Sequence, residues 1–168
     1  MPTRRISGTA TAASDPDNGG DHSGGGGSGN TYVDDVFSTY LYTGNGADLD
    51  IVNGVDLDGE GGMVWLKSRS SSGSHTLYDT ERGAKNYLSS NKTDGESPLG
   101  TGLKSFNNDG FTHGSHMGTD DVVSWTFRKA PKFFDVVTYS NAGTGNTKTV
   151  SHNLGVAPGL IIIKDINS

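Results

Sequence analysis

The chain has 168 residues, of which 31% are hydrophobic and 26 are glycine, and its formal net charge is −6. So much glycine disfavours helices, and part of the chain is expected to lie outside any compact core. The acidic balance argues against nucleic acid as a partner, because phosphate binding requires clustered Lys and Arg. No apolar run is long enough to insert into a membrane. The absence of cysteine excludes thiol catalysis and fits assembly in a reducing cytoplasm.

Residues 1–30 are rich in glycine, serine and aspartate and show no hydrophobic period. Such a segment cannot offset its ordering entropy alone, so we expect an extended tether or a segment that docks onto a partner protein. The docking interpretation includes the adjacent stretch TYVDDVF, which could add as a strand to a partner's sheet. The predicted docking residues are Arg4, Arg5, Ile6, Tyr32, Val33 and Phe37.

Residues 31–135 carry short apolar pieces between turn residues, at a spacing of about ten residues. This pattern is typical of an all-β protein and predicts an antiparallel β-sandwich or barrel. After the opening TYVDDVFSTYLYT stretch, the predicted strands are Leu49–Val52, Met63–Leu66, Thr76–Tyr78, Tyr87–Leu88, Leu103–Phe106, Phe111–Thr112, Val122–Phe127 and Phe133–Tyr139.

The stretch VVSWTFR alternates apolar and small polar residues, as a half-buried strand does. Alternation places Val123, Trp125 and Phe127 on one face of this strand, with Ser124 and Thr126 on the other. We expect the aromatic face to pack in the core.

The chain contains an internal repeat with an offset of about 97 residues. The aligned positions are Tyr42 with Tyr139, Gly46 with Gly143, Leu57 with Leu154, and the run Gly62–Lys67 with Gly159–Lys164. We therefore expect residues 136–168 to be the start of a second, truncated repeat. Such a piece cannot bury its own apolar face. Either the polypeptide is longer, or these strands complete a sandwich in the first domain or in a neighbouring subunit.

Several stretches carry a resemblance to a known family, namely WLKSRS, RGAKNYLSSN, FNNDGF, WTFRKAP and HNLGVAP. Together they resemble a repeated domain of virion proteins from tailed bacteriophages, notably phages of marine bacteria and cyanobacteria. The resemblance runs from about Val33 to Ile166. It implies a sandwich similar to the concanavalin and laminin-G type and a tail-fibre or other structural role. Members usually carry complete repeats, and the partial second copy departs from that pattern.

Three pairs of acids are candidates for glycan cleavage, which requires two carboxylates about 5 to 9 Å apart. They are Asp79 with Glu81, Asp94 with Glu96, and Asp120 with Asp121. None has a distinguishing context, and the first pair is more simply a solvated ion-pair patch beside Arg82. We therefore predict no catalytic residue and no enzymatic activity.

Two histidines and one acidic segment are candidates for metal binding. His113 and His116 lie three residues apart in a turn region, which is not a helical ligand spacing, so we expect a solvent-facing loop. The segment DLDIVNGVDLDGEGG carries the oxygen ligands that calcium prefers but lacks the EF-hand pattern. We expect Asp56 and Asp58 in a solvated turn, and no cofactor, with calcium as the alternative.

Aromatic side chains suggest where a glycan could bind, because aromatic faces suit pyranose rings. The candidates for such a platform are Trp65, Trp125, Phe127, Phe133 and Phe134. Core packing is favoured for Trp125 and Phe127, so surface ligand contacts are expected instead in the loops, at Tyr78, Arg82 and Tyr87.

These observations predict a non-enzymatic virion protein, the particle-anchored start of a tail fibre or similar appendage, with host-surface binding further along. A head-decoration or cement protein and a carbohydrate-binding module are the alternatives. The expected partners are other virion proteins, such as a tail adaptor, nozzle or capsid protein, and further copies of the chain. A trimer is the usual state of fibre-like proteins, and a host-surface glycan is a further candidate ligand.

Overall fold

A computed structural model describes residues 31–167. The chain divides into two units, and the second begins at Thr31. The tether hypothesis for residues 1–30, with its docking residues Arg4, Arg5 and Ile6, therefore lies outside the described residues. In the part of the chain that the structure describes, no helix has the length and apolar character needed to cross a membrane.

The described residues form an all-β, antiparallel sandwich, as the sequence predicts. The elements are α1 (Val33–Val36), β1 (Phe37–Thr43), β2 (Leu49–Val52), β3 (Gly62–Ser68), β4 (Thr76–Asp79), β5 (Asn86–Ser89), β6 (Ser97–Pro98), β7 (Leu103–Asn107), β8 (Gly110–His113), a 3-10 turn (Ser115–Met117) and β9 (Asp121–Arg128). One sheet has six strands in the order β1-β9-β3-β4-β5-β6, and the other has three in the order β2-β8-β7.

The core lies between the two sheets. The six-stranded sheet contributes Val64, Tyr78 and Val122, and the three-stranded sheet contributes Ile51 and Phe111, all at most 3% exposed. Fully burying side chains of this size contributes about 1.5–3 kcal/mol each. The core therefore holds the two sheets together.

The first three strands do not pair with one another. β1 pairs with β9, β2 pairs with β8, and β3 pairs with β9 and β4. Every partner of β1, β2 and β3 thus occurs later in the chain. β9, the last strand, lies between β1 and β3 in the large sheet, and its Ser124 lies opposite Tyr40 of β1 on one side and Leu66 of β3 on the other.

The predicted strands between Leu49 and Phe127 coincide with β2 to β5 and β7 to β9. The expectation of a strand throughout TYVDDVF is wrong, because Val33–Val36 forms a helical turn. The Tyr32 N–H donates to the Asp35 carboxylate at 2.9 Å, which closes this turn. Of the predicted docking residues that the structure describes, only Phe37 lies in a strand; Tyr32 and Val33 are exposed.

The predicted strand Phe133–Tyr139 is also wrong. An isolated bridge joins Ala130 to Phe134, and no strand follows β9 in the described residues. The apolar residues of this stretch have no neighbouring strand with which to form a ladder. Strand propensity alone is insufficient, because a strand needs a paired neighbour.

The two faces of β9 are the reverse of the expectation. Ser124 and Thr126 have no exposed surface and face the core, whereas Trp125 and Phe127 are half-buried on the outer face of the sheet. The Asn53 side-chain amide donates to Thr126 Oγ1 at 2.8 Å, which satisfies that buried hydroxyl. Because large rings from other strands fill the core, β9 contributes small side chains there.

Two aligned glycines provide a test of the packing around β3. A Cβ at Gly62 would collide with the carbonyl oxygen of Phe127 across the β3–β9 pair, whereas a Cβ at Gly159 would meet nothing within 4 Å. We expect Gly62→Ala to lower the free energy of unfolding by about 1–3 kcal/mol, because the backbone must shift. Gly159→Ala should change it by less than about 0.5 kcal/mol. Urea denaturation measures both variants, and equal effects would contradict this packing.

Candidate functional site

Residues 136–167 follow the sandwich without forming a strand, and their middle part is fixed by backbone contacts. The Lys132 N–H donates to the Leu154 carbonyl at 2.8 Å. The Asn153 N–H donates to Asp135 Oδ2 at 2.6 Å. These two bonds attach the segment near residue 154 to the chain just after β9.

A second attachment holds the far end of the same segment. The Glu96 N–H donates to the Ile166 carbonyl at 3.0 Å. The Lys164 ammonium donates to the carbonyl oxygens of Thr93 and Asp94 at 3.2 and 2.6 Å. The chain between these two attachments is therefore hydrogen-bonded at one end to Lys132 and Asp135 and at the other end to residues 93–96.

The stretch between the two attachments contains four consecutive large aliphatic residues, Leu160–Ile163, which we call the apolar segment. Their exposed fractions are 77%, 66%, 68% and 72% in chain order. The aligned residues of β3 include Val64 and Leu66, which have no exposed surface. A contiguous exposed apolar surface of this kind is typical of an interaction site. The apolar segment is the strongest candidate for a functional site in the described residues.

The outer face of the six-stranded sheet carries an aromatic group. Trp65 and Trp125 lie opposite each other in the β3–β9 register, with ring centroids 5.9 Å apart and an interplanar angle of 71°. The Trp65 indole N–H donates to His75 Nδ1 at 2.9 Å, which fixes its orientation. Phe127 contacts Phe134 at 5.3 Å between centroids. Phe133, the remaining member predicted for the platform, is 41% exposed.

The edge-to-face geometry limits what this aromatic group can bind. Two indoles at 71° do not present one flat surface, so they cannot stack on two successive sugar rings of an extended chain. A single ring face remains available to a ligand, because both Trp65 and Trp125 are only half-buried.

The surface location expected for Tyr78 and Arg82 is wrong. Tyr78 has no exposed surface, and its burial raises the pKa of the phenol to about 12. The side chain of Arg82 is 6% exposed. Tyr87 is half-buried and packs against the core, with its ring 6.2 Å from that of Tyr78. The sequence pattern predicts strands at Tyr78 and Tyr87, but it does not say which side chains of these strands face the core.

The candidate acids make structural contacts. Arg82 donates from Nε to Asp79 at 2.7 Å and from Nη1 to Glu96 at 3.2 Å. Since Arg82 and Asp79 are both buried, removal of one partner would leave an uncompensated charge. Glu81 binds Lys129 at 2.6 Å, and this hydrogen bond raises the pKa of the lysine. The predicted solvated patch is therefore partly a buried ion pair.

The third acid pair holds two loops together. Asp120 accepts hydrogen bonds from the hydroxyls of Ser68 and Ser71, each at 2.7 Å, and these bonds lower the pKa of its carboxyl. Asp121 accepts from the hydroxyl of Thr43 at 2.7 Å. These contacts join the start of β9 to the loop after β3 and to the end of β1.

His113 does not lie in a solvent-facing loop, so that expectation is wrong for this residue. It is 2% exposed at the end of β8, and its Nδ1 lies 3.1 Å from Tyr42 Oη in a hydrogen bond. Burial lowers the pKa of His113 to about 4; the nearby His116 adds to this shift and Asp48 opposes it. Burial also raises the pKa of Tyr42. His116 is exposed on the 3-10 turn.

The metal candidates do not form a ligand set. Within residues 31–167, no group of three or more His, Asp or Glu side chains could hold a metal ion. Asp56 Oδ1 accepts from the Gly59 N–H at 2.9 Å, which closes the turn before β3. Asp58 is exposed in the same turn. The Asp56 carboxylate therefore stabilises the turn.

The buried imidazole predicts a dependence of stability on pH. His113 has a pKa of about 4 in the folded state and an ordinary value of 6.5. The unfolded chain binds the extra proton between these values, so stability should fall from pH 6.5 to 4, by about 3 kcal/mol in total. His113→Gln should remove this part of the pH slope, whereas the exposed control His116→Gln should retain it. Urea denaturation at several pH values measures the slopes, and identical slopes would contradict the prediction.

Comparison with known proteins identifies the family of this chain but no function. Neither the curated proteins nor the solved structures gave a match. The profile of DUF7483, a domain of unknown function, matches residues 33–168. This match begins at α1 and includes both the sandwich and the apolar segment, which is most of the chain. The chain therefore belongs to the DUF7483 family.

Proposed function

We propose that this protein is a structural component of a bacteriophage virion, the particle-anchored part of a tail fibre or similar appendage. The observation that carries the proposal is the apolar segment, in which Leu160–Ile163 are each at least 66% exposed. Water around so much aliphatic surface is unfavourable by about 25 cal/mol per Å² relative to burial. A component that is covered by a neighbouring polypeptide in an assembly removes this cost.

Two further observations support a structural role. The stretches that resemble phage virion domains include parts of β3 and β9, two paired strands of the large sheet. The carboxylates of Asp79, Glu81 and Glu96 are engaged by Arg82 and Lys129. A glycan-cleaving pair needs one carboxyl free to protonate the leaving group.

The proposal includes location and partners. Residues 1–30 attach the chain to another virion protein, in the tail rather than the head, and the sandwich projects from that attachment. A low-complexity segment binds weakly by itself, but several copies held together gain from their effective concentration. Further copies of the chain are therefore among its partners.

The test of this proposal compares purified virions that carry the parent protein with virions that carry a deletion of residues 2–30. Protein mass spectrometry should find the parent protein in the particle and not the deletion variant. Electron microscopy should show density at the tail that is present in virions with the parent protein and absent from virions with the deletion variant. A control variant with residues 2–30 replaced by a scrambled sequence of equal length separates a docking segment from a spacer. Absence of the parent protein from purified virions would overturn the proposed function.

The outer aromatic group favours a second candidate function, the binding of a host-surface glycan. Trp65 and Trp125 are half-buried on the outer face of the large sheet, where one ring face is available. A ring contact contributes about 0.5–1.5 kcal/mol, so loss of either indole should weaken glycan binding by roughly two- to tenfold.

Isothermal titration of the full chain with host polysaccharide measures this effect. Trp65→Ala and Trp125→Ala should weaken binding, whereas Tyr139→Ala, which removes a 44% exposed ring elsewhere, should not. Equal affinities for the three variants and the parent would exclude this face as the glycan site.

A further inference from the structure

The order of strand partners along the chain divides the sandwich into two parts. β1, β2 and β3 come first, and they pair only with β4, β8 and β9. Because buried backbone groups must be hydrogen-bonded, strands without partners are not stable as strands. A segment with only the counterparts of β1, β2 and β3 would therefore remain unpaired.

Residues 134–165 are such a segment, with counterparts of β1, β2 and β3 that have no partner strands. With the offset of 97 residues, β1, β2 and β3 correspond to residues 134–140, 146–149 and 159–165. None of these ranges is a strand. The turn after the first counterpart is nevertheless kept, since Gly46 and the aligned Gly143 both have positive φ values, 74° and 87°. The two copies thus share the backbone conformation of this turn, although the strands of the second copy are not paired.

The side chains of the apolar segment follow the pattern of β3. In β3, Val64 and Leu66 face the core without exposed surface, and Met63 and Trp65 are half-buried on the outer face. The aligned apolar segment has an aliphatic residue at all four positions. A strand that is covered on both faces reads as such a continuous apolar run. The segment therefore has the composition of a central strand and the exposure of an unpaired one.

We propose that residues 134–165 are the first three strands of a second sandwich, completed by strands equivalent to β4, β8 and β9 from a further segment of the same domain family. This inference deepens the assembly role proposed above and rests on it. The occupant is a polypeptide with the pattern of residues 72–135, which provides an apolar strand on each side of the apolar segment.

A folded second copy of this chain cannot supply the missing strands. In the sandwich, β9 lies between β1 and β3, β4 lies between β3 and β5, and β8 lies between β2 and β7. Each of the three required strands is already paired on both sides. A second copy would have to open its own sandwich to donate them, which would expose its core.

The lysine at the end of the apolar segment distinguishes the two copies. Lys67 at the end of β3 donates to the Ser71 carbonyl at 3.1 Å, in the loop that follows its own strand. The aligned Lys164 instead donates to the carbonyls of Thr93 and Asp94 in the first sandwich. Completion of the second sandwich should move Lys164 to its own following loop and release this attachment.

The experiment extends the full chain after Ser168 with a second copy of residues 72–135, which continues the same register. Hydrogen exchange followed by mass spectrometry reports on the amides of the apolar segment, with those of β9 as the internal standard for folding. In the extended chain, exchange at residues 160–163 should slow by roughly 100-fold or more, because those amides become part of a ladder. Exchange in the chain without the extension should remain fast there.

Two matched double variants of the extended chain test the register. Ile161→Ser with Ile163→Ser removes the predicted core-facing pair and should abolish the protection. Leu160→Ser with Ile162→Ser removes the predicted outer pair and should retain most of it. Equal loss in both variants would show that the segment does not form a strand in the register of β3.

Two results would overturn the proposal. One is an unprotected apolar segment in an extended chain whose first sandwich remains protected. The other is a dimer of the chain without extension, found by analytical ultracentrifugation and lost in Ile161→Ser with Ile163→Ser, since a second copy would then be the occupant. Both experiments use purified protein, so their outcome is independent of whether the protein is found in virions.

Discussion

The position of β9 between β1 and β3 in the large sheet is the constraint on which the rest of the structure depends. It joins β1 to β3, and its register places Phe127 opposite Phe37 and Met63. The chain between β1 and β9 must be brought back on itself before either contact forms, so loop-closure entropy opposes the first step. The early strands β1 and β3 are therefore held by the strand that comes last. The same dependence accounts for the unpaired residues 136–167, which have counterparts of the early strands but not of β9.

A buried arginine links the sandwich to the apolar segment. Arg82 binds Asp79 and Glu96 and donates to the carbonyl oxygens of Leu77 and Asn86, so every contact fixes the β4–β5 hairpin and the approach to β6. The backbone of Glu96 in turn holds the Ile166 carbonyl. The almost completely buried Arg82 guanidinium thus positions the loop to which the end of the apolar segment is hydrogen-bonded. Charges buried in this way are costly unless all their partners are present, so the loop and the hairpin are fixed together.

The unequal size of the two sheets explains which surfaces remain open. Three strands cannot cover the inner face of six, so Tyr40 of β1 remains 39% exposed although it lies on the same face as the core residues of its neighbour β9. On the outer face, Trp65 and Trp125 shield each other only partly. The apolar segment differs from both surfaces because all four of its consecutive aliphatic residues are at least 66% exposed. Burial against a partner would therefore stabilise this surface more than the other two. The glycan-binding alternative concerns the outer face of the large sheet.

The sequence by itself determined the all-β class and the positions of most strands in the sandwich, because alternation and turn residues are local properties of the chain. The short β6 (Ser97–Pro98) was not predicted. Leu49–Val52 is one strand whose predicted bounds are those observed. Only the tertiary structure decided which face of β9 lies against the core, since alternation separates the two faces of a strand but does not say which one is buried. The burial of Tyr78, Arg82 and His113, and the absence of a strand at Phe133–Tyr139, likewise depend on residues far away in the chain. Pairing and burial are properties of two segments that meet, and a local pattern describes only one of them.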